Sequence, residues 1–238
     1  MEKVVLTLFV LLAGRMAFAQ PVEPSCYLRE LKAEMCKKWP ANRTINLVFH
    51  GHSVPSGYST GGVVCTLDAY PHLTLQVVKA DYEYAVVNVI TTSVGGENAE
   101  QGSKRFTRDV LSKAPDVVFI DYALNDRKMG LERAAAAWEK MVRQAQAKHV
   151  RVILMTPTPD TREDILDENS PLARHAEQIR ALAAKYETGL VDSYEAFRCI
   201  VRDGGDLAEY MAQNNHPNAK GHRVVAGLIE FFFTAASR

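Results

Sequence analysis

Ser53 lies where an apolar run, Leu47-Val48-Phe49, gives way to His50-Gly51-His52. Far along the chain stands His216, in Asn215-His216-Pro217-Asn218-Ala219-Lys220-Gly221-His222. A serine hydroxyl is a weak nucleophile alone, and a neutral imidazole within hydrogen-bond reach removes its proton. Together the two residue types are the nucleophile and general base of acyl transfer. That chemistry also needs donors for a developing oxyanion, and two stretches offer them. In Ser93-Val94-Gly95-Gly96-Glu97-Asn98 the glycine N–H is not shielded by a side chain. In Asp121-Tyr122-Ala123-Leu124-Asn125-Asp126 the asparagine amide is a neutral donor that does not titrate. One such donor is worth roughly 3–4 kcal/mol in a protease. Taken singly, each motif has an ordinary explanation: a turn serine, a turn glycine, an Asx cap, a capping histidine.

The elements that must position these residues alternate in type. Ser25 to Trp39 reads as a helix with a Leu28, Leu31, Met35, Trp39 stripe, and Thr44 to Phe49 as a buried strand. A helix across Val63 to Val78 and a strand over Tyr84 to Thr91 follow. Next come a helix over Asn98 to Ser112, a strand over Asp116 to Asp121 and a helix over Leu131 to Lys148. Val150 to Thr156 reads as a strand, Pro171 to Tyr186 as a helix and Gly189 to Val191 as a short strand. A last helix spans Asn218 to Ala235, with His222 packing on the sheet rather than joining the site. Strands alternating with helices of this length predict a three-layer α/β/α fold around a central, mostly parallel five-stranded sheet. Such sheets place reactive groups beyond the carboxyl ends of their strands. Ser53, Gly96 and Asn125 each follow a strand, and His216 precedes the final helix.

The order and types of these four residues resemble the SGNH (GDSL-like) hydrolase family, named for Ser, Gly, Asn and His from four sequence blocks. Gly51-His52-Ser53 stands where the family has Gly-Asp-Ser, and Gly95-Gly96-Glu97 where it has Ser/Gly-Gly-Asp. Ala123-Leu124-Asn125-Asp126 matches Gly-x-Asn-Asp with Ala for Gly, and Asn215-His216-Pro217-Asn218 matches the final block. The likeness runs from about Thr44 to the C-terminus. It implies a flavodoxin-like SGNH hydrolase fold, Ser53 and His216 as catalytic residues, Gly96 and Asn125 as oxyanion donors, and no cofactor. Two departures stand out. His52 replaces the aspartate before the serine, and Gln213 occupies the acid position of the Asp-x-x-His block. A triad carboxylate fixes the tautomer and stabilises the imidazolium. The chain therefore reads as a Ser–His dyad, with Gln213 or a backbone carbonyl orienting His216, and Asp203 and Asp206 as alternative carboxylates. His50 and His52, two apart on a strand, also permit a metal reading, but two histidines do not complete a catalytic zinc site. No metal is expected.

Residues 1–19 read as a secretory signal peptide: Lys3, an apolar run from Val4 to Ala13, and Ala17-Phe18-Ala19 before Gln20. Cleavage after Ala19 predicts a secreted or periplasmic protein, with one domain over residues 24–238. The apolar run is too short to span a bilayer and carries Arg15 at its end, which excludes stable membrane insertion. Lys+Arg 28 balances Asp+Glu 28, which gives no electrostatic footprint for nucleic acid. The cysteines at 26, 36, 65 and 199 allow up to two disulfides, in three connectivities, or free buried thiols. Cys26 and Cys36, on one helix, stand about 15 Å apart, too far to bridge. The expected partner is a small-molecule or glycan ester, and the expected activity a secreted serine esterase, with O-deacetylation of a glycan favoured. The alternative is a catalytically weakened glycan-binding protein that keeps the fold, motivated by Gln213.

Overall fold

A computed structural model describes residues 22–234. The signal-peptide reading of residues 1–19 lies outside the described residues. Five strands, β1 (Thr44–Gly51), β2 (Val86–Thr91), β3 (Val117–Asp121), β4 (Arg151–Met155) and β5 (Gly189–Val191), form one sheet in the order β2-β1-β3-β4-β5. All four pairings are parallel. Parallel strands buried on both faces read as continuous apolar runs, which is why Leu47-Val48-Phe49 and Val117-Val118-Phe119-Ile120 announce themselves.

Among the described residues ten α-helices connect and cover the strands: α1 (Pro24–Tyr27), α2 (Arg29–Met35), α3 (Ser53–Ser56), α4 (Tyr70–Asp81), α5 (Ala99–Asp109), α6 (Ala123–Asp126), α7 (Leu131–Gln146), α8 (Pro171–Lys185), α9 (Ser193–Arg202) and α10 (Ala219–Phe233). Alternate strand residues split the core into two faces. Ile45, Leu47, Phe49, Val117, Phe119, Ile153 and Met155 meet α2, α4, α9 and α10. Val48, Val118, Ile120, Val152 and Leu154 meet α5, α7 and α8, where the small Ala134, Ala137 and Ala145 let α7 lie close. The result is the three-layer α/β/α arrangement expected. No described helix is long and apolar enough to cross a membrane.

Several expectations shift. The first helix is broken at Leu28 and ends at Met35; Trp39 is 85% exposed and takes no part in the core. Residues 57–68 are turns, because Gly57, Gly61 and Gly62 take positive φ, and the helix starts only at Tyr70. α9 was not anticipated: its apolar stripe is short and interrupted by Glu195 and Arg198, although Asp192 caps it through Glu195 N–H. Asn98 is the N-cap of α5, in a capping box with Gln101. All four cysteines are free, with Cys26 and Cys36 exposed rather than buried.

The order β2-β1-β3 makes the chain leave β1 in one direction and β3 in the other. That reversal opens a crevice at the carboxyl ends of β1 and β3. α3 and α6 begin there.

Candidate functional site

Ser53 is the first residue of α3, one step beyond the His52 N-cap, whose Nδ1 accepts the Val54 N–H at 3.2 Å. Gly51 is required by close approach: a Cβ there would lie 2.5 Å from the Asp121 carbonyl oxygen. The two strand ends can therefore meet directly beneath the serine.

His216 arrives from a different part of the chain. After α9, β6 (Met211–Gln213) and β7 (His216–Pro217) form a small antiparallel hairpin, and Asn218 caps α10 through Lys220 and Gly221 N–H. The hairpin is tied to its surroundings at two points. Thr60 Oγ1 donates to the Ala212 carbonyl at 2.6 Å, and Thr161 N–H to the Asn214 carbonyl at 2.8 Å. So held, His216 Nε2 lies 2.7 Å from Ser53 Oγ. Each residue retains 9% exposure, enough to leave the pair open to a small ligand.

For Nε2 to accept the serine proton, Nδ1 must carry the ring hydrogen and needs an acceptor. Asn215 Oδ1 stands 2.9 Å from it. The Gln213 side-chain amide is also present, its Nε2 at 2.6 Å from Nδ1. Donation by that nitrogen belongs to the other ring tautomer; rotating the amide by 180° offers Oε1 instead. Gln213 thus lies against the ring, but the oxygen that stands nearest Nδ1 as an acceptor belongs to the Asn215 side chain and not to a backbone carbonyl. Asp203 and Asp206 do not reach the imidazole: Asp203 ends α9, and Asp206 caps a short turn through Ala208 N–H. Burial lowers the His216 pKa below the usual histidine value, and His52 adds to the depression; Asp160 opposes it.

The other two candidates lie on the same rim. Gly96 has φ +79°, a conformation that L side chains rarely adopt, although a Cβ added there would meet no atom within 4 Å. Asn125, in α6, donates through Nδ2 to the Glu97 carbonyl at 2.8 Å, which joins the β3 turn to the Gly96 loop and leaves one Nδ2 hydrogen free. Beside it, Asp126 is fully buried and accepts from Ala99 N–H and Trp138 Nε1, each at 2.7 Å. Burial pushes its carboxyl pKa up to about 6.

Charged groups that sequence inspection passed over hold this rim. Arg105 grips Glu97 through Nε, 2.9 Å from both carboxylate oxygens, and donates to the Thr92 carbonyl at 2.7 Å. Glu97 and Arg105 are eight residues apart across a loop and a cap, so no local pattern reveals the pair. His50 points into the same network, against Thr92 Oγ1 and Tyr122 Oη, and burial holds its pKa down at about 3. His52 engages Val54 and faces Asp121, so the two histidines serve separate partners. Among the described residues no three His, Cys, Asp or Glu side chains gather as a metal site. Tyr58 walls the rim, its ring against Gly95 and 6.5 Å from the His216 ring.

The model of the GDSL-like lipase/acylhydrolase family matches residues 49–224. No curated protein sequence matches significantly. Among solved structures, an acetylxylan esterase from Geobacillus stearothermophilus superposes with a TM-score of 0.68 at 20% identity, over 82% of this chain and 97% of its own. Variants of that enzyme described as catalytic mutants replace a serine, an aspartate and a histidine three residues after the aspartate. The same interval separates Gln213 from His216. A two-domain esterase active on acetylated mannans superposes with a TM-score of 0.68 at 22% identity, over 86% of this chain and 51% of its own.

Proposed function

Because the chain belongs to the GDSL-like lipase/acylhydrolase family and is an ester hydrolase, we propose that it is a serine esterase that removes a small acyl group, acetyl above all, from a glycan. The reading rests on the 2.7 Å approach of His216 Nε2 to Ser53 Oγ. Ser53 Oγ attacks the ester carbonyl carbon as its proton passes to His216 Nε2. The tetrahedral oxyanion is held by Ser53 N–H, Gly96 N–H and the free Asn125 Nδ2 hydrogen. Collapse breaks the bond to the alcohol oxygen, which takes the proton from His216. Water, deprotonated by the same ring, then releases the carboxylic acid and frees Ser53. Asn215, with Gln213, orients the ring during both proton transfers.

The acetylated-glycan assignment draws on two observations. The superposed esterases act on acetylated xylan and mannan, and Tyr58 narrows the rim beside Gly95 and His216. Export, to the exterior or the periplasm after cleavage at Ala19, fits a polymeric substrate outside the cell. Gln213 favours a second reading, a glycan-binding protein of weakened activity, because no carboxylate bonds His216 among the described residues.

Hydrolysis of a chromogenic acetyl ester separates the two. Wild type is expected to turn over, and Ser53→Ala to lose on the order of a thousandfold or more. Equal, slow rates from both proteins would reject the esterase in favour of the binding protein.

A further inference from the structure

We propose that His52 and Asp121 are positioning residues that hold the Ser53 turn, with Asp121 supplying from the end of β3 the buried carboxylate that the family pattern places immediately before the serine. The inference rests on the reading of Ser53 as nucleophile. His52 is fully buried. Because its Nδ1 accepts the Val54 N–H at the start of α3, the ring hydrogen sits on Nε2. That nitrogen faces Asp121 Oδ1 at 3.4 Å, and neither atom has a hydrogen-bond partner among the described residues. A buried donor and a buried acceptor are thus aimed at each other across a gap slightly longer than a hydrogen bond. Leaving both unpaired is costly in a buried setting, and catalytic contacts are often long in a resting site and tighten in the reacting complex.

The second Asp121 oxygen is already committed, accepting from the buried Tyr70 Oη at 2.8 Å. The other nearby carboxylate, Asp126, is occupied by Ala99 and Trp138. A continuous line therefore runs from Tyr70 through Asp121 and His52 to the Val54 N–H, one residue from the nucleophile. Each junction pairs one donor with one acceptor. The junction between positions 52 and 121 tolerates the carboxylate on either strand end, but not on both and not on neither. A carboxylate at 52 could still accept the Val54 N–H; an asparagine at 121 could donate to it and accept from Tyr70.

This polarity rule defines the test. His52→Asp, Asp121→Asn, the double variant and His52→Asn are assayed for kcat and KM on a chromogenic acetyl ester. Labelling of Ser53 by a serine-directed phosphonate and the thermal midpoint complete the set. Wild-type labelling at Ser53 checks the parent reading by itself; without it that reading fails, whatever the variants do. With wild type labelled, His52→Asp is expected to lose at least thirtyfold in kcat and in labelling rate, because two carboxylates then face each other in a buried site. The double variant should recover to within about fivefold of wild type, a coupling that independent sites would not give. Asp121→Asn removes the carboxylate opposite the ring and should lose about tenfold in kcat with KM unchanged. His52→Asn has the same reach as aspartate, keeps an acceptor for the Val54 N–H and presents a donor to Asp121, so it should stay within about fivefold of wild type. Wild-type rates in His52→Asp, no recovery in the double variant, or a loss in His52→Asn as large as that in His52→Asp would each overturn the proposal. If His52→Asp does not fold, the folding and kcat of the double variant against His52→Asn decide.

Discussion

At the scale of single residues, the unusual feature is that amides alone flank Nδ1 of His216, the base of the proposed mechanism. An aspartate on Nδ1 would lift the imidazole pKa and share the positive charge that forms as serine attacks. Asn215 Oδ1 supplies only a dipole, 2.9 Å away, while burial and His52 hold the ring's pKa below the usual 6.5. The ring accepts a proton only when neutral, so activity is lost as pH falls through that lowered value. kcat/KM should therefore rise with pH to a plateau, with an acid limb centred below 6.5. A limb at or above 6.5 would mean that His216 is not the base in this environment. Gln213→Glu is nearly isosteric and replaces the amide with a carboxylate at the same reach. It should raise the plateau kcat several-fold and move the acid limb upward, two changes read from one pH profile. An unchanged limb would show that position 213 does not face the ring in solution.

At the scale of elements, the site depends on loops clamped to one another. The Gly96 loop, the Asn125 turn and α5 share Glu97: its carboxylate meets Arg105 and its carbonyl meets Asn125. Arg105→Lys keeps the charge but loses the forked donor set. It should reduce kcat about tenfold and lower the thermal midpoint slightly; steady-state kinetics with an unchanged kcat would show that the loop holds without the clamp. These clamps also mark where the sequence stops being legible. Ser53 and Asn125 are legible because each follows a strand whose apolar run is buried on both faces, and Gly96 because it follows the Val- and Ile-rich run of the edge strand β2. Their types then suggested one chemistry. Asn215 could not be assigned, since which side chain reaches Nδ1 depends on the bulged hairpin of β6 and β7. The segment 57–68 reads as the approach to a helix only while its glycines are ignored; three with positive φ make it a wall of the site carrying Tyr58. Trp39 fits the apolar stripe of a helix that stops four residues earlier.

At the scale of the whole molecule, the fold buries histidines that must stay neutral. His50 has its pKa pushed down to about 3, and His175 and His222 to about 4, in each case chiefly by burial. The unfolded chain binds protons at these positions near pH 6.5 while the folded chain does not. Their contribution to stability is therefore complete above pH 6.5 and is lost as pH falls through the folded values. Each contributes a slope of about 1.4 kcal/mol per pH unit between those limits. Asp126 works the other way: its folded pKa of about 6 lies above the carboxylate reference, so its contribution is present in acid and lost as pH rises through 6. One opposing carboxylate against three histidines leaves a net loss on acidification of about two histidines' slope between pH 6 and 4. Asp160, held down at about 2 by its hydrogen bonds to Arg162 and Arg127, outweighing its burial, adds to the loss only below pH 4. The thermal midpoint should therefore fall steadily from pH 6.5 to 4. His175 makes no hydrogen bond among the described residues, is buried, and lines a cavity with Arg127, Leu131 and Arg174 that neither Ser53 nor His216 borders. His175→Leu should flatten the descent between pH 6 and 4 by roughly half without changing kcat at pH 8. A midpoint that stays level or rises on acidification would mean that these rings take up protons inside the fold, against the cost of burial that depresses all three.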